Sequence, residues 1–347
     1  MNISINVLGV CSLILCLHGP SFGQLNKGRS TPFEVFVHSY TTDSCYARGI
    51  ALSKNVVYTA NSNGKVYAYD LTSQKAKEWE IAEATGEFRD IELVGDTLIL
   101  MQSGTGLLVN LYKDGSYRTV QAENSNWDSV FMDGMDFLGK IGFLMGDPTN
   151  GVFSLFNTTD GGTCWKKCEG ELSSYEGEAG FAASGTNVQV LNDSTFVFVS
   201  GGNKSRFFKS TDRGRTWEIT SLAFPSNPSS GAYSLCMIDE FQGIIVGGDY
   251  TKPNERKNTC FLTLDGGKTW QQSKKPPGGY RSCVIQVGKM LFCCGTNGID
   301  YSLNGGKTWK PLNDWNSFSM ATNGNELFVT LPMGKFAEIR FDNQIRN

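Results

Sequence analysis

Histidine is what this chain has least of: two in 347 residues, His18 and His38. A Ser-His-Asp or Cys-His hydrolase would have to work with one of them, and a histidine-rich zinc or iron centre cannot be assembled. The chain also has no C-x-x-C pair, no P-loop and no strand-linked G-x-G-x-x-G, so the usual redox, phosphate and dinucleotide signatures are absent. No metal and no cofactor is expected. Charge of one sign is missing too. The 31 Lys and Arg nearly balance the 34 Asp and Glu, the net charge is −3, the pI is about 5.6, and no basic run stands out. A nucleic-acid partner is therefore not expected. No long Pro/Ser linker or low-complexity tract divides the sequence into domains.

The one extended apolar run is at the N-terminus. Ile5 to Leu17 are followed by Ser21-Phe22-Gly23, with small residues at the two positions a signal peptidase reads. The reading is a signal peptide over 1–23, cleavage after Gly23, and a single domain over 24–347. The run is too short for a transmembrane helix. Neither Cys11 nor Cys16 follows the small residue a lipoprotein signal needs, so a secreted or periplasmic protein without a membrane span is expected. Processing would leave eight cysteines. Cys164 and Cys168, four apart on one strand, would lie about 13 Å apart and cannot pair. Cys283 lies one strand from Cys293 and Cys294 and could face either. Buried thiols are the other reading.

Glycine is abundant, with 40 residues, and aromatics make up 12%, as expected of an all-β domain with many turns. One phrase recurs: S-T-D-R-G-R-T-W at Ser210–Trp217, T-L-D-G-G-K-T-W at Thr263–Trp270, S-L-N-G-G-K-T-W at Ser302–Trp309, and a worn T-T-D-G-G-T-C-W at Thr158–Trp165. The acid bonds nearby amides, glycine takes positive φ, and tryptophan opens the next strand as a lid. The key positions Asp160, Asp212, Asp265 and Asn304 step by 52, 53 and 39 residues, and weaker forms at Asp70 and Asp114 precede them. Four strands and their turns fill such a step, which is one propeller blade.

Six units are explicit and a seventh is left in two parts. Phe33 to Val37 is an orphan strand, and Phe318–Thr322, Glu326–Leu331 and Lys335–Phe341 are three strands lacking a fourth. Joining them closes the ring and removes exposed edges. The expectation is an all-β, seven-bladed propeller whose N-terminal strand completes the last blade, with His38 a structural residue on that strand.

Aligning the first strands of the blades puts Arg48, Arg89, Asp133, Thr186, Tyr233, Arg281 and Asn316 around one channel mouth. Loops expected on that face add Asp147, Glu176, Glu178, Asp249, Tyr250, Lys274, Lys275 and Tyr280. Such a rim suits an acidic group, since guanidinium forks match carboxylates. The repeat turns, with Asp160, Trp165, Asp212, Trp217, Asp265, Trp270, Asn304 and Trp309, fall on the opposite face as structural clasps.

The repeats resemble Asp-boxes, or BNR repeats. The wording around them, V-F-M-D-G-M-D-F, F-A-A-S-G-T, G-G-D-Y-T-K-P-N and K-K-P-P-G-G-Y-R-S, is similar to exported bacterial relatives of the photosystem II stability/assembly factor family, over about Phe88 to Trp309. That resemblance implies a seven-bladed propeller that serves as a protein-binding or assembly factor without known catalysis, and a monomer is expected. A glycan partner is the other binding reading. The enzymatic alternative is a sialidase-like glycoside hydrolase, with Arg48, Arg89 and Arg281 holding a carboxylate, Tyr233 as nucleophile and Asp133 as acid/base. Here F-R-D-I at Phe88–Ile91 replaces the F-R-I-P phrase of those enzymes, and the blade count differs from their six.

Overall fold

A computed structural model describes residues 33–122 and 130–341. The expected signal peptide, 1–23, lies outside the described residues. None of the described residues is helical, so none of them forms a helix long and apolar enough to cross a membrane. Seven antiparallel sheets follow one another around a ring.

Blade 1 runs Ala47–Ser53, Val56–Asn61, Lys65–Asp70 and Lys75–Glu80, from innermost to outermost strand. Blades 2 to 6 begin with inner strands at Phe88–Val94, Met132–Leu138, Val188–Val190, Ser230–Met237 and Cys283–Val287. Blade 5 carries two extra short strands, Glu178–Ala179 and Gly201–Gly202, on its inner side. Blade 7 is built from both ends of the chain. Phe33–Ser39 pairs with Lys335–Phe341 along its whole length, from Phe33 opposite Phe341 to Ser39 opposite Lys335. The orphan strand thus supplies the outermost position and covers the edge that Lys335–Phe341 would otherwise expose. His38 lies there, 3.0 Å from Glu338 and stacked on Phe336.

The repeat turns fold as their residue types require. In each, the side-chain oxygen two residues after the Ser or Thr accepts amides four residues on. Asp212 Oδ1 takes the Thr216 N–H at 2.9 Å, Asp265 Oδ1 that of Thr269 at 2.9 Å, and Asn304 Oδ1 that of Thr308 at 3.0 Å. Asn304 works because the acceptor is one amide oxygen, while its Nδ2 donates to the Thr308 hydroxyl. Hydrogen bonds from the Thr216 and Thr269 hydroxyls and amides hold Asp212 and Asp265 down to about 2. Gly162, Gly267 and Gly306 all have positive φ, so a side chain there would be strained.

Tryptophans from these turns pack between blades. Trp165 and Trp309 are fully buried, in the cores shared by blades 2 and 3 and by blades 5 and 6. Trp217 and Trp270 do the same, half-buried, for blades 3 and 4 and blades 4 and 5. Nearer the axis, side chains of one inner strand stitch the next. Asp90 Oδ2 accepts the Met135 N–H at 2.9 Å, Asp136 Oδ2 that of Val190 at 2.6 Å, and Ser234 Oγ that of Val284 at 2.9 Å. No disulfide forms among the eight described cysteines. Cys283 stands opposite Cys294 and shares its core, whereas Cys293 stands opposite Val284 and points into another.

Candidate binding site at the channel mouth

Each inner strand starts at one face of the ring and its partner returns to that face, so the repeat turns lie on the other. Four inner strands carry a register shift at the mouth, and the residue it leaves over is Arg48, Arg89, Asp133 or Tyr233. A bulge of this kind re-aims one side chain out of the ladder. Gly49, Asp90, Gly134 and Ser234 come next and pair normally, as does Cys283 in blade 6, while Ser319 in blade 7 accepts the Thr330 N–H on its carbonyl and donates its own N–H to the Thr330 hydroxyl. The residues before those two are Ser282 and Phe318. The register aligned from sequence is therefore one residue off in blade 6, where Arg281 was placed, and two off in blade 7, where Asn316 was placed.

Blade 6 shows the consequence. Arg281 is fully buried, its Nε 2.8 Å from Asp300 Oδ2, its Nη2 bonded to the same atom and its Nη1 on Asn297 and the Tyr280 carbonyl. It braces its own blade. Glu178 is likewise committed, its carboxylate held bidentately by Arg206 with both side chains buried. Asp249 accepts from Thr251 in the loop that follows it and from Ser229 just ahead of the inner strand of blade 5, and is buried. Lys275 pairs through its backbone with Lys307, Thr308 and Trp309 of the blade 6 repeat turn, which belongs to the other face.

Arg48, Arg89, Tyr233, Tyr250 and Tyr280 do meet, around a pocket of about 290 Å3 completed by Phe181, Ala182, Ala183, Thr296 and Phe318. Its floor is aromatic. Tyr233 stacks on Phe181 and meets Tyr280 edge-on, with centroids 4.8 Å apart. Arg48 lies 4.3 Å over the Phe318 ring. Glu87 joins the two arginines, taking Arg48 Nε at 2.8 Å on one oxygen and Arg89 Nε at 3.0 Å on the other. Their Nη1 groups reach the carbonyls of Ala183 and Ala182, at 3.5 and 3.4 Å, and neither Nη2 has a hydrogen-bond partner among the described residues. Two guanidiniums and one carboxylate leave a net positive charge at a half-buried site. The Tyr233 hydroxyl donates to the Ser229 carbonyl at 2.8 Å, and burial, aided by Tyr280, pushes its pKa far up.

The channel is closed by Phe181-Ala182-Ala183-Ser184-Gly185-Thr186, the F-A-A-S-G-T phrase. Besides the arginine contacts, Ser184 Oγ donates to the Ser282 carbonyl at 2.7 Å, Ser319 Oγ to the Ser184 carbonyl at 3.4 Å, and Thr186 Oγ1 meets Ser234 Oγ at 2.6 Å. The segment thus touches blades 1, 2, 5, 6 and 7 and acts as a plug. Sequence reasoning placed Thr186 on the rim and assigned the other five no role, because a plug has no periodicity. Gly185 has positive φ, and a Cβ there would sit 2.2 Å from the Asp90 carboxylate.

Two acidic groups flank the plug. Asp133 is completely buried beside Asp147, whose Oδ1 accepts the Gly180 N–H at 2.8 Å. Burial, then the neighbouring Asp147, pushes Asp133 well above the carboxylate range, and burial raises Asp147 as well. Neither opens onto the mouth pocket. On the far side of the plug, a cavity of about 260 Å3 is lined by Ser184, Gly185, Thr186, Asp90 and Glu92. Burial raises Asp90 to about 7 and Asp136 to about 6, and it raises Glu92 well above its usual value, with Asp136 adding to the shift. The described residues hold no cluster suited to a metal ion.

No family model matches the sequence, and no curated protein does. Solved structures do. A catalytically inactive histidine-to-alanine variant of virginiamycin B lyase from Staphylococcus aureus, solved with quinupristin, is 14% identical with a TM-score of 0.64, over 89% of this chain and 99% of that one. YCF48 bound to D1 peptide is 12% identical with a TM-score of 0.63, over 90% and 98%. The WD40 propeller domain of Doa1 is 10% identical with a TM-score of 0.62, over 88% and 96%. At these identities the likeness is one of fold: the chain is a seven-bladed β-propeller.

Proposed function

We propose that the chain is an exported, non-catalytic Asp-box propeller, assembly-factor-like, that holds an acidic group of a protein partner at its mouth. The observation that carries this reading is the pair of guanidiniums from adjacent blades, oriented by Glu87 above an aromatic floor. Pre-oriented arginines in a half-desolvated bowl favour a carboxylate, and aromatic rings supply contact area at little entropic cost. One structural neighbour, YCF48, was solved with a peptide, which supports a peptide-binding role for this kind of scaffold.

The geometry counts against the enzymatic readings. Among the described residues the Tyr233 hydroxyl is bonded to the Ser229 carbonyl and to no glutamate, and Arg281 is sealed against Asp300, so a sialidase-like triad is not assembled there. The neighbouring lyase loses catalysis with a histidine, whereas the histidine described here is bonded to Glu338 in the outermost strand of blade 7. Affinity capture from the native extract tests the proposal. Wild-type protein should retain a partner that Arg48→Ala with Arg89→Ala loses, and a panel of sialosides and aryl glycosides should show no turnover. Turnover abolished by Tyr233→Phe would refute it.

A further inference from the structure

The outer strand of each blade is an open edge, and six of the seven are guarded against pairing with another chain. Lys75–Glu80 reads K-A-K-E-W-E, with four charges in six residues. Lys310–Asn313 contains Pro311. Tyr117–Val120 and Glu218–Ser221 are four residues long, and Lys166–Lys167 and Gln271–Gln272 only two. Charge, proline and shortness are the usual protections of an edge. The outer strand of blade 7, Phe33–Ser39, lacks them. It reads F-E-V-F-V-H-S over seven residues, carries one carboxylate and no lysine or arginine, and leaves Phe36 41% and Val37 55% exposed.

The outward side of this strand is in register to pair. The Tyr40 N–H donates to the Gly334 carbonyl, one step beyond the Ser39–Lys335 pair. Backbone direction alternates along an antiparallel ladder, so the even residues turn their N–H and C=O groups to Lys335–Phe341, and Val35, Val37 and Ser39 turn theirs outward. Among the described residues no strand pairs on that side. We propose that a second copy of this chain does, antiparallel about a two-fold axis at Phe36, joining two four-stranded blades into one continuous sheet. Phe36 then faces its own copy, Val35 the partner's Val37, and Glu34 the partner's His38. Of the registers that bring outward backbone groups together, only this one overlaps all seven residues, and it sets an acid opposite an imidazole. Arg340 stands between Glu326 and Glu34 in the sheet, so charge alternates up to the seam. Its guanidinium lies 4.6 Å over the Phe36 ring and holds the central side chain in place. The monomer expected from the sequence is then the dilute form.

A seam of one strand per copy is small, and a Kd of about 0.1 mM is expected. Sedimentation velocity of the full chain, as its host processes it, should show the average mass rising toward that of two chains between about 5 and 500 µM. Val37→Pro removes an outward N–H and none from the inner ladder, so it should stay folded and lose self-association. Val37→Lys, which places charge at the seam, does the same if proline disturbs the strand. Cross-linking reads the register. Phe36→Cys would bring two Cα atoms to about 4.5 Å, within disulfide reach, and diamide, taking up both thiol hydrogens, should join the copies. Glu34→Cys should stay unlinked, because its two copies lie four residues apart along the seam. A mass that stays at one chain throughout, association that survives both Val37 variants, or cross-linking of Glu34→Cys as readily as of Phe36→Cys would overturn the proposal.

Discussion

Tyr233 lies flat on Phe181, with ring centroids 4.0 Å apart and planes 2° from parallel. One ring belongs to the inner strand of blade 5 and the other to the plug, so the floor of the mouth pocket is also what fastens the plug. Phe181→Ala should therefore affect two properties. Losing one stacked, half-buried ring should cost about 1–3 kcal/mol, seen as a lower melting temperature, and the backbone carbonyls that orient Arg48 and Arg89 should loosen. Partner affinity should fall together with stability. Lower stability with unaltered affinity would show that the plug is not part of the site.

Arg281 and Asp300 separate a structural arginine from the mouth arginines. Breaking a buried pair strands a charge, so Arg281→Leu should destabilise by about 3–5 kcal/mol, while Arg281→Leu with Asp300→Leu should recover much of that loss. Arg48→Ala, by contrast, should change stability by about 1 kcal/mol or less. Chemical denaturation of the three variants checks the order.

The turn tryptophans should rank by burial. Trp309→Ala removes a fully buried indole whose Nε1 donates to the Gly306 carbonyl at 3.1 Å, and it should cost about 3–5 kcal/mol. Trp270→Ala, which makes the same bond to Gly267 from a half-buried position, should cost less.

Stability should fall as pH rises from about 4 to 7. Asp90 and Asp136, raised to about 7 and about 6, and Asp133 and Glu92, raised by burial well above their usual values, bind protons in the folded state that the unfolded chain has released. A carboxyl whose folded value is raised contributes most at low pH and loses that contribution as pH climbs through the folded value. Asp212 and Asp265, held at about 2, act in the opposite sense below about pH 4. Thermal melts from pH 4 to 8 should show the decline. Asp133→Asn, neutral and of the same shape, should flatten it, whereas an unchanged slope would remove Asp133 from the account.

The ring was legible because turn chemistry repeats. An acid or its amide, a glycine and a tryptophan at fixed offsets marked four blades, and the unmatched strands at the two ends specified the closure between Phe33–Ser39 and Lys335–Phe341. The mouth was legible in blades 1, 2 and 5, while blade 3 shares their bulge but turns Asp133 into a buried position away from the pocket. It was misplaced at Arg281 and Asn316, since apolar alternation cannot reveal a shift of one or two residues. Glu87 and Phe318 carried no signal in a single sequence. The plug was visible as a phrase but not as a function, because its partners lie in five blades far apart along the chain.

The central claim is that Arg48 and Arg89, rather than the repeat-turn acids, hold the partner. The most direct measurement is the affinity of the captured partner for wild-type protein, for Arg48→Ala with Arg89→Ala, and for Asp212→Asn with Asp265→Asn, at two salt concentrations. The account predicts at least about a hundredfold loss and a weaker salt dependence for the arginine pair, with no change for the turn variants. Undiminished affinity in the arginine pair, or loss confined to the turn variants, would contradict it.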